Sequence, residues 1–174
     1  MKRKNYRAII IVFWLLITSC NNSSEKNTTH FTNTTIKNEK TMENEKLINF
    51  GKKYAAAWCS QKPDSVAAYF SSNGSLSVNA NAPAVGREAI AKVAEGFMTA
   101  FPDMIVSMDS LIVQSDATAF HWTLTGTNTG PGGTGNKVKI SGVELWQFDA
   151  AGLIHESKGS FDAEEYNRQL GVKK

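Results

Sequence analysis

The stretch that decides the fold is HWTLTGTNTGPGGTGNKVKISGVELWQFDAAGLIHES, residues 121–157. Apolar and polar side chains alternate on both sides of a glycine-rich break at 126–136, and a period of two indicates strands with one buried face. A turn at 149–152 follows, and a last strand runs from Leu153 towards Phe161. Apolar residues change parity after Ser141-Gly142, which predicts a β-bulge there. The stretch therefore predicts consecutive antiparallel strands.

Upstream of this stretch the pattern changes from strand to helix. Apolar residues recur at helical spacing over 47–58 and 86–101, and Pro102 ends the second run. A short helix begins at Pro63, and residues 74–80 alternate weakly as a strand would. Helices followed by an antiparallel meander predict an α+β fold, in which the N-terminal helices pack on one face of a curved antiparallel sheet and leave a cavity.

The first twenty residues have the organisation of an export signal. Four basic side chains within residues 1–7 precede an apolar run at 8–17, which is too short to span a bilayer and fits a signal peptide. The sequence Ile17-Thr18-Ser19-Cys20 resembles the bacterial lipobox. That resemblance implies cleavage after residue 19 and lipid on the Cys20 sulfur. We therefore expect a lipid-anchored protein of the cell envelope, at the periplasmic face or the outer membrane; the alternative is an ordinary signal peptide with an incidental cysteine.

The composition then divides the chain into three parts. Residues 1–19 are the signal peptide, residues 20–41 the lipidated cysteine and a tether, and residues 42–174 the domain. The tether is rich in Asn, Thr, Ser and Lys, and such a segment buries too little surface to offset its ordering entropy, so we predict disorder. The leader carries four of the 19 basic residues and no acidic residue, so the formal charge falls from +3 to −1 on its removal. That balance gives no support for a nucleic-acid partner.

Cysteine and histidine usage excludes two kinds of site. If Cys20 carries lipid, Cys59 has no partner for a disulfide, and its place in a helical pattern favours a buried, inert thiol. No His or Cys cluster has the spacing of metal ligands, and the glycine-rich loop lacks the Lys-Ser/Thr of a phosphate-binding loop. The sequence therefore predicts neither a metal nor a cofactor.

Four further segments carry a family resemblance. They are AAAWCSQKPDSVAAYF (55–70), VGREAI (85–90), AFPDM (100–104) and FDAEEYNRQLG (161–171). With the stretch quoted first, they resemble the SnoaL-like polyketide cyclases of the NTF2-like superfamily, which includes ketosteroid isomerase, over about residues 44–172. The resemblance implies a cone-shaped α+β barrel with a hydrophobic pocket at its open end, and a homodimer formed through the outer face of the sheet.

The resemblance also points to Asp162 as a catalytic group. In the cyclases an aspartate seven residues before the Gln of a terminal QLG is the general acid/base of an aldol closure, and Asp162 lies seven before Gln169. Burial in an apolar pocket would raise the pKa of such a carboxyl into the range of a useful base. The alternative is that Asp162 is an exposed N-cap of the last helix.

Other positions depart from the family pattern. Asn128 stands where the family loop has a histidine, Lys158 where an aromatic residue is usual, and the expected histidine of the penultimate strand is absent. The fold is therefore a safer expectation than the chemistry. Further candidate site residues are polar groups set in apolar strands and large aromatic residues, each with a plain structural alternative. Substrate-binding candidates are Trp58, Trp122, Glu144, Trp146, His121 (also considered as a second acid/base) and Asn128.

Three functions remain open from the sequence. The first is an enzyme of the cyclase or isomerase type, acting on a small carbonyl compound with Asp162 as base. The second is a non-catalytic lipoprotein that holds a small hydrophobic ligand in the same pocket. The third is a dimeric interaction module at the envelope surface.

Overall fold

The computed structural model describes the backbone of residues 28–172 and the side chains of residues 43–172. The chain divides into two compact units, residues 1–40 and 41–174. The predicted signal peptide and Cys20 lie outside the described residues. The elements, in chain order, are α1 (Thr28–Cys59), α2 (Pro63–Ala67), β1 (Phe70–Val78), β2 (Ala84–Val85), α3 (Arg87–Ala100), β3 (Ile105–Val113), β4 (Thr118–Thr127), β5 (Lys137–Phe148), β6 (Ile154–Phe161) and α4 (Ala163–Leu170).

Helix α1 is longer than the sequence pattern predicts. It begins at Thr28, so its backbone is helical over residues 28–41, where we predicted a disordered tether. No proline interrupts residues 28–59 and the first glycine is Gly51, so nothing in the local sequence forces an earlier break. Low hydrophobicity led to the prediction of disorder, but it does not by itself prevent a helix. Within the described residues, no helix is both long and apolar enough to cross a membrane.

Six strands form one curved sheet in the order β2-β1-β6-β5-β4-β3. Strands β3 to β6 are the antiparallel meander that the sequence predicts. Strand β1 differs, because it pairs parallel to β6, and its register shifts between Phe70 and Ser75. That irregularity explains why its alternation is weak in the sequence. The predicted α+β class is confirmed, with an open sheet whose edges are β2 and β3.

The bulges lie elsewhere than predicted. The β4–β5 ladder runs without a shift through Ser141 and Gly142, so the predicted bulge there is wrong. Shifts occur instead between Met108 and Ser110 and between Gln147 and Phe148. Apolar side chains after residue 142 change parity because some of them lie on the outer face of the sheet, not because the strand bulges.

The core lies between the concave face of the sheet and helices α1 and α3. Helix α3 buries Ile90, Ala94 and Met98, spaced four residues apart on one side. On the sheet, Phe120 and Trp146 stack with ring centroids 4.5 Å apart. Cys59, the last residue of α1, was predicted to be buried but is only half-buried, beside the edge strand β3. The Cys59 thiol is free and half-buried, accepts from the Val106 amide at 3.1 Å and donates to its carbonyl at 3.4 Å.

Candidate functional site

A small apolar cavity lies between the concave face of the sheet and helices α1 and α3. The cavity has a volume of about 50 Å³ and is open to solvent on one side. Since one water needs roughly 10–15 Å³ of such space, the cavity has room for about four non-hydrogen atoms. Nine of its ten lining residues are uncharged; the ten are Trp58, Leu76, Val78, Phe97, Val106, Trp122, Leu124, Glu144, Gly159 and Phe161.

Glu144 on β5 is the one ionisable side chain of this lining, and it is only 7% exposed. Its Oε2 accepts three hydrogen bonds, from Tyr54 Oη at 3.0 Å, Trp146 Nε1 at 2.9 Å and Ser157 Oγ at 2.7 Å. Its Oε1 accepts no hydrogen bond from the described residues. It is also not one of their fully buried polar atoms without a partner, so it retains some accessible surface. The network therefore fixes one carboxyl oxygen and leaves the other for the cavity.

The strand and helix periodicities explain how these donors converge. Trp146 lies two residues after Glu144 on β5, so both side chains project from the same face. Ser157 is on the neighbouring strand β6, which pairs with β5 in this region. Tyr54 reaches the carboxyl from α1, one turn before Trp58 in the cavity wall. Three separate elements therefore position a single side chain.

Burial raises the pKa of the Glu144 carboxyl, and the three hydrogen bonds oppose that shift. The pKa of Tyr54 lies well above its usual range, first because the ring is fully buried and second because of the negative charge on Glu144. The ion pairs found among the described side chains all lie elsewhere, so Glu144 has no cationic partner there. The cavity thus holds a desolvated carboxyl that has three hydrogen-bond donors but no cationic partner among the described residues.

Trp122 on β4 forms another part of the wall and is 9% exposed. It is in register with Gly142 of β5, where a Cβ atom would collide with the indole and come within 2.5 Å of the Ser160 carbonyl oxygen. Glycine is therefore required for the ring to lie against the β5 backbone. The Trp122 indole N–H is buried and has no hydrogen-bond partner among the described residues. A buried donor without a partner is unusual in a folded protein.

Asp162 does not belong to the cavity lining. Its carboxylate is exposed and accepts from the Glu165 amide at 2.9 Å, as the N-cap of α4. The preceding residue, Phe161, does line the cavity. The chain turns from strand into helix at this point, and that turn directs the two side chains differently. Its position gives the predicted catalytic role of Asp162 no support.

The remaining predicted site residues separate into two groups. Trp58 lines the cavity, and Trp146 lies just behind it as a donor to Glu144. His121 lies on the other face of β4, half-buried and in register with Val143, so it is not a cavity residue. The strand alternation that turns Trp122 inward turns His121 outward.

Asn128 is also away from the cavity and organises the glycine-rich loop. Its Nδ2 donates to the Ala100 carbonyl at 3.1 Å, and its Oδ1 accepts from the Thr134 amide at 2.8 Å. The Gly130 amide donates to the same Ala100 carbonyl at 3.3 Å. These bonds tie the loop to the end of α3 and give Asn128 a structural role.

The sequence analysis did not single out Tyr54 and Ser157, which hold Glu144, or Phe97 and Phe161, which line the cavity. Tyr54 could have been found, because it lies four residues before Trp58 on a helix and so shares its face. Ser157 carried no signal, since a serine in a half-exposed strand is ordinary. Within the described part of the chain, no group of three or more His, Cys, Asp or Glu side chains could hold a metal ion.

Comparison with known proteins agrees with this architecture. Residues 48–170 match the model of the family described as SnoaL-like polyketide cyclase. No curated protein matches the sequence. A protein of ketosteroid isomerase-like fold from Catenulispora acidiphila, solved in complex with trimethylamine, is 17% identical with a TM-score of 0.64, covering 71% of this chain and 93% of its own.

Two further solved structures are similar. A protein of Jannaschia sp. CCS1, described as a SnoaL-like polyketide cyclase, is 17% identical with a TM-score of 0.64 over 76% of this chain and 94% of its own. AclR of Streptomyces galilaeus, described as a hydroxylase, is 25% identical with a TM-score of 0.59 over 70% of this chain and 78% of its own. Since the family model spans nearly the whole domain and these structures share its fold, the chain belongs to the SnoaL-like polyketide cyclase family.

Proposed function

We propose that this protein binds a small, largely apolar molecule in the cavity, with Glu144 as its polar contact, while held at the cell envelope by lipid on Cys20. The observation that carries the proposal is an apolar cavity with a single carboxyl, whose hydrogen bonds from the described residues all go to one oxygen, Oε2. Pockets for small molecules are mostly apolar and fix their ligand with a few polar groups. Membership of a family with cyclase, isomerase and ligand-binding domains agrees with this function.

The size of the cavity limits the ligand. Space for about four non-hydrogen atoms is far below what a polycyclic substrate needs, so a larger ligand would extend out through the open mouth of the cavity. One structural neighbour was solved in complex with trimethylamine, a molecule of that size. We therefore expect either a very small ligand or a small group that enters first while the rest of the molecule remains in the mouth.

A catalytic version of this proposal, with Asp162 as general base on a small carbonyl compound, has family membership as its support. Against it, the Asp162 carboxylate is exposed and already accepts a backbone hydrogen bond as a helix cap. A general base must come within about 3 Å of the proton that it removes. Binding is therefore the better-supported function, and turnover would require α4 to move.

The proposed location rests on the sequence of residues 1–20, which has the pattern of a lipoprotein signal. A homodimer is the proposed assembly. Its support is an apolar row on the outer face of the sheet, in which the exposed Ile112 and Leu145 flank the buried Ala119 across neighbouring strands. Ile112 is 51% exposed and Leu145 37%. A dimer that covered this row would remove it from water. Light scattering of the wild type against Ile112→Lys tests this assembly.

The binding proposal is tested by filling the cavity. The protein is the mature chain, residues 20–174, with Cys20→Ser so that detergent is not needed. A panel of small apolar molecules is titrated and binding is measured by calorimetry and native mass spectrometry. We expect Val106→Phe, which adds a ring to the cavity lining, to abolish binding of any molecule that the parent chain retains.

Val113→Phe is the matched control, because it makes the same substitution on the same strand at an exposed position outside the cavity lining. It should leave binding unchanged. If Val106→Phe folds and still binds as the control does, the cavity is not the binding site. If no panel member binds the parent chain at millimolar concentration, the proposed function is refuted.

A further inference from the structure

We propose that the ligand of this cavity carries a small alkylammonium group, whose positive charge lies against Glu144 and whose alkyl groups contact the surrounding aromatic rings. This inference rests on the proposed function, because it names the chemical class of the molecule bound at that same site.

Glu144 lacks a cationic partner among the described residues. The carboxyl is almost fully buried, three neutral donors hold its Oε2, and no described cation pairs with it. A buried charge is costly unless it is paired, and the cavity is the space beside this carboxyl. A ligand cation would supply the missing partner, and Oε1 is the atom free to receive it.

The walls of the cavity are rich in aromatic rings. Trp58 and Phe97 meet edge to face with ring centroids 6.1 Å apart, and Trp122 and Phe161 do so at 6.1 Å. These two pairs supply four of the ten lining residues. Aromatic faces attract cations, and cages of such rings recognise alkylated ammonium groups. A carboxyl within aromatic walls is therefore complementary to a cation that also has apolar surface.

The same features disfavour other ligands of this size. An anion would meet the Glu144 carboxylate in a poorly hydrated space. A metal ion would lack further ligands, because the other lining side chains are apolar or aromatic. A strongly hydrated ammonium would give up its hydration shell on entering a cavity that offers few hydrogen bonds in return. An alkylated ammonium is less strongly hydrated, so its cost of desolvation is lower. Charge and apolar surface together select the alkylammonium class.

The experiment compares two probes of equal size, tetramethylammonium and tert-butanol, each with five non-hydrogen atoms. Both are titrated into the mature chain carrying Cys20→Ser at neutral pH. We expect tetramethylammonium to bind at least tenfold more tightly than tert-butanol. In Glu144→Gln, whose amide oxygen can keep the three donors of Oε2, the cation should lose at least tenfold more affinity than tert-butanol does.

Two variants keep the test decisive. Glu156→Gln removes a carboxylate from β6 outside the lining and should leave both affinities unchanged, which excludes a general charge effect. Phe97→Leu keeps an apolar side chain but removes a ring at a half-buried position, and it should weaken the cation several-fold more than it weakens tert-butanol. Phe97→Leu replaces Glu144→Gln as the test if that variant does not fold.

The outcomes separate the two proposals. Binding of tert-butanol as tight as that of tetramethylammonium overturns the alkylammonium inference and leaves the small-molecule function standing. The same holds if Glu144→Gln, or Phe97→Leu in its place, leaves the preference for the cation intact. If neither probe nor any panel molecule binds, the proposed function fails, and this inference fails with it.

Discussion

Tyr54→Phe should destabilise the domain by an amount that grows with pH. The substitution removes one hydroxyl that donates to Glu144 Oε2 at 3.0 Å in a fully buried place, and it leaves the ring in position. A hydrogen bond to a charged group contributes about 1.5–3 kcal/mol and one to a neutral group about 0.5–1.5 kcal/mol. We therefore expect a cost of about 2 kcal/mol where Glu144 is ionised and about 1 kcal/mol where it is protonated.

The direction of the pH dependence follows from the pKa of Glu144. In the folded wild type it is raised above the ordinary 4.5, so the stability associated with the protonated carboxyl is fully present below 4.5 and is lost as pH rises through the folded pKa. The Tyr54 hydroxyl lowers that pKa, so its removal raises it further. The variant then loses more stability than the wild type on ionisation, at roughly 1.4 kcal/mol per pKa unit.

The assay is guanidinium unfolding of both proteins at several values from about pH 4 to about pH 9. Other carboxylates with lowered pKa, such as Asp103 and Asp149, reduce the stability of both proteins alike on acidification, so their effect cancels in the difference. Tyr69→Phe is the control, because it removes a hydroxyl from a half-buried tyrosine that does not contact Glu144. A difference independent of pH, or one no larger than that of Tyr69→Phe, would refute the role given to this network.

Three further perturbations test other parts of the structure. Gly142→Ala should lower the free energy of unfolding by about 1–3 kcal/mol through overpacking. It should also displace the Trp122 ring, which near-ultraviolet circular dichroism would report. An unchanged spectrum and stability would contradict the close approach of this ring to the β5 backbone. Asp162→Ala should cost about 1 kcal/mol through the lost helix cap in thermal unfolding, with ligand affinity unchanged, whereas a selective loss of turnover would restore its catalytic role. Cys20→Ala should release the exported protein from the membrane fraction, and its retention there would show that lipid on this residue is not the anchor.

Much of the fold follows from periodicity. The alternation of Phe120, Trp122 and Leu124 fixed the buried face of β4, and the same rule placed His121 outside. Periodicity does not predict which strands pair with each other. The sequence pattern of β1 shows that it is a strand, but its parallel neighbour β6 lies about 80 residues away, and no local pattern encodes that contact.

The candidate site was only partly predictable. Glu144 was identifiable as a polar residue among inward-facing positions, because a carboxyl there needs partners. Those partners come from three elements, and only their assembly shows that the donors share one oxygen. Asp162 illustrates the converse, since one residue satisfied both a family motif and a capping pattern, and only its exposure distinguished them.

The position of β6 has a consequence for the order in which the molecule is assembled. Strand β6 is the last strand of the chain, yet it lies between β1 and β5 in the sheet. Until residues 154–161 are available, β1 and β2 have no connection through the sheet to β3–β5, and Ser157 cannot reach Glu144. Contacts of long sequence separation form slowly, so the pairing of β6 with β1 should come late in folding. Ligand binding in this protein should therefore report completion of the whole domain, since a shortened or half-folded chain lacks the strand that closes the cavity.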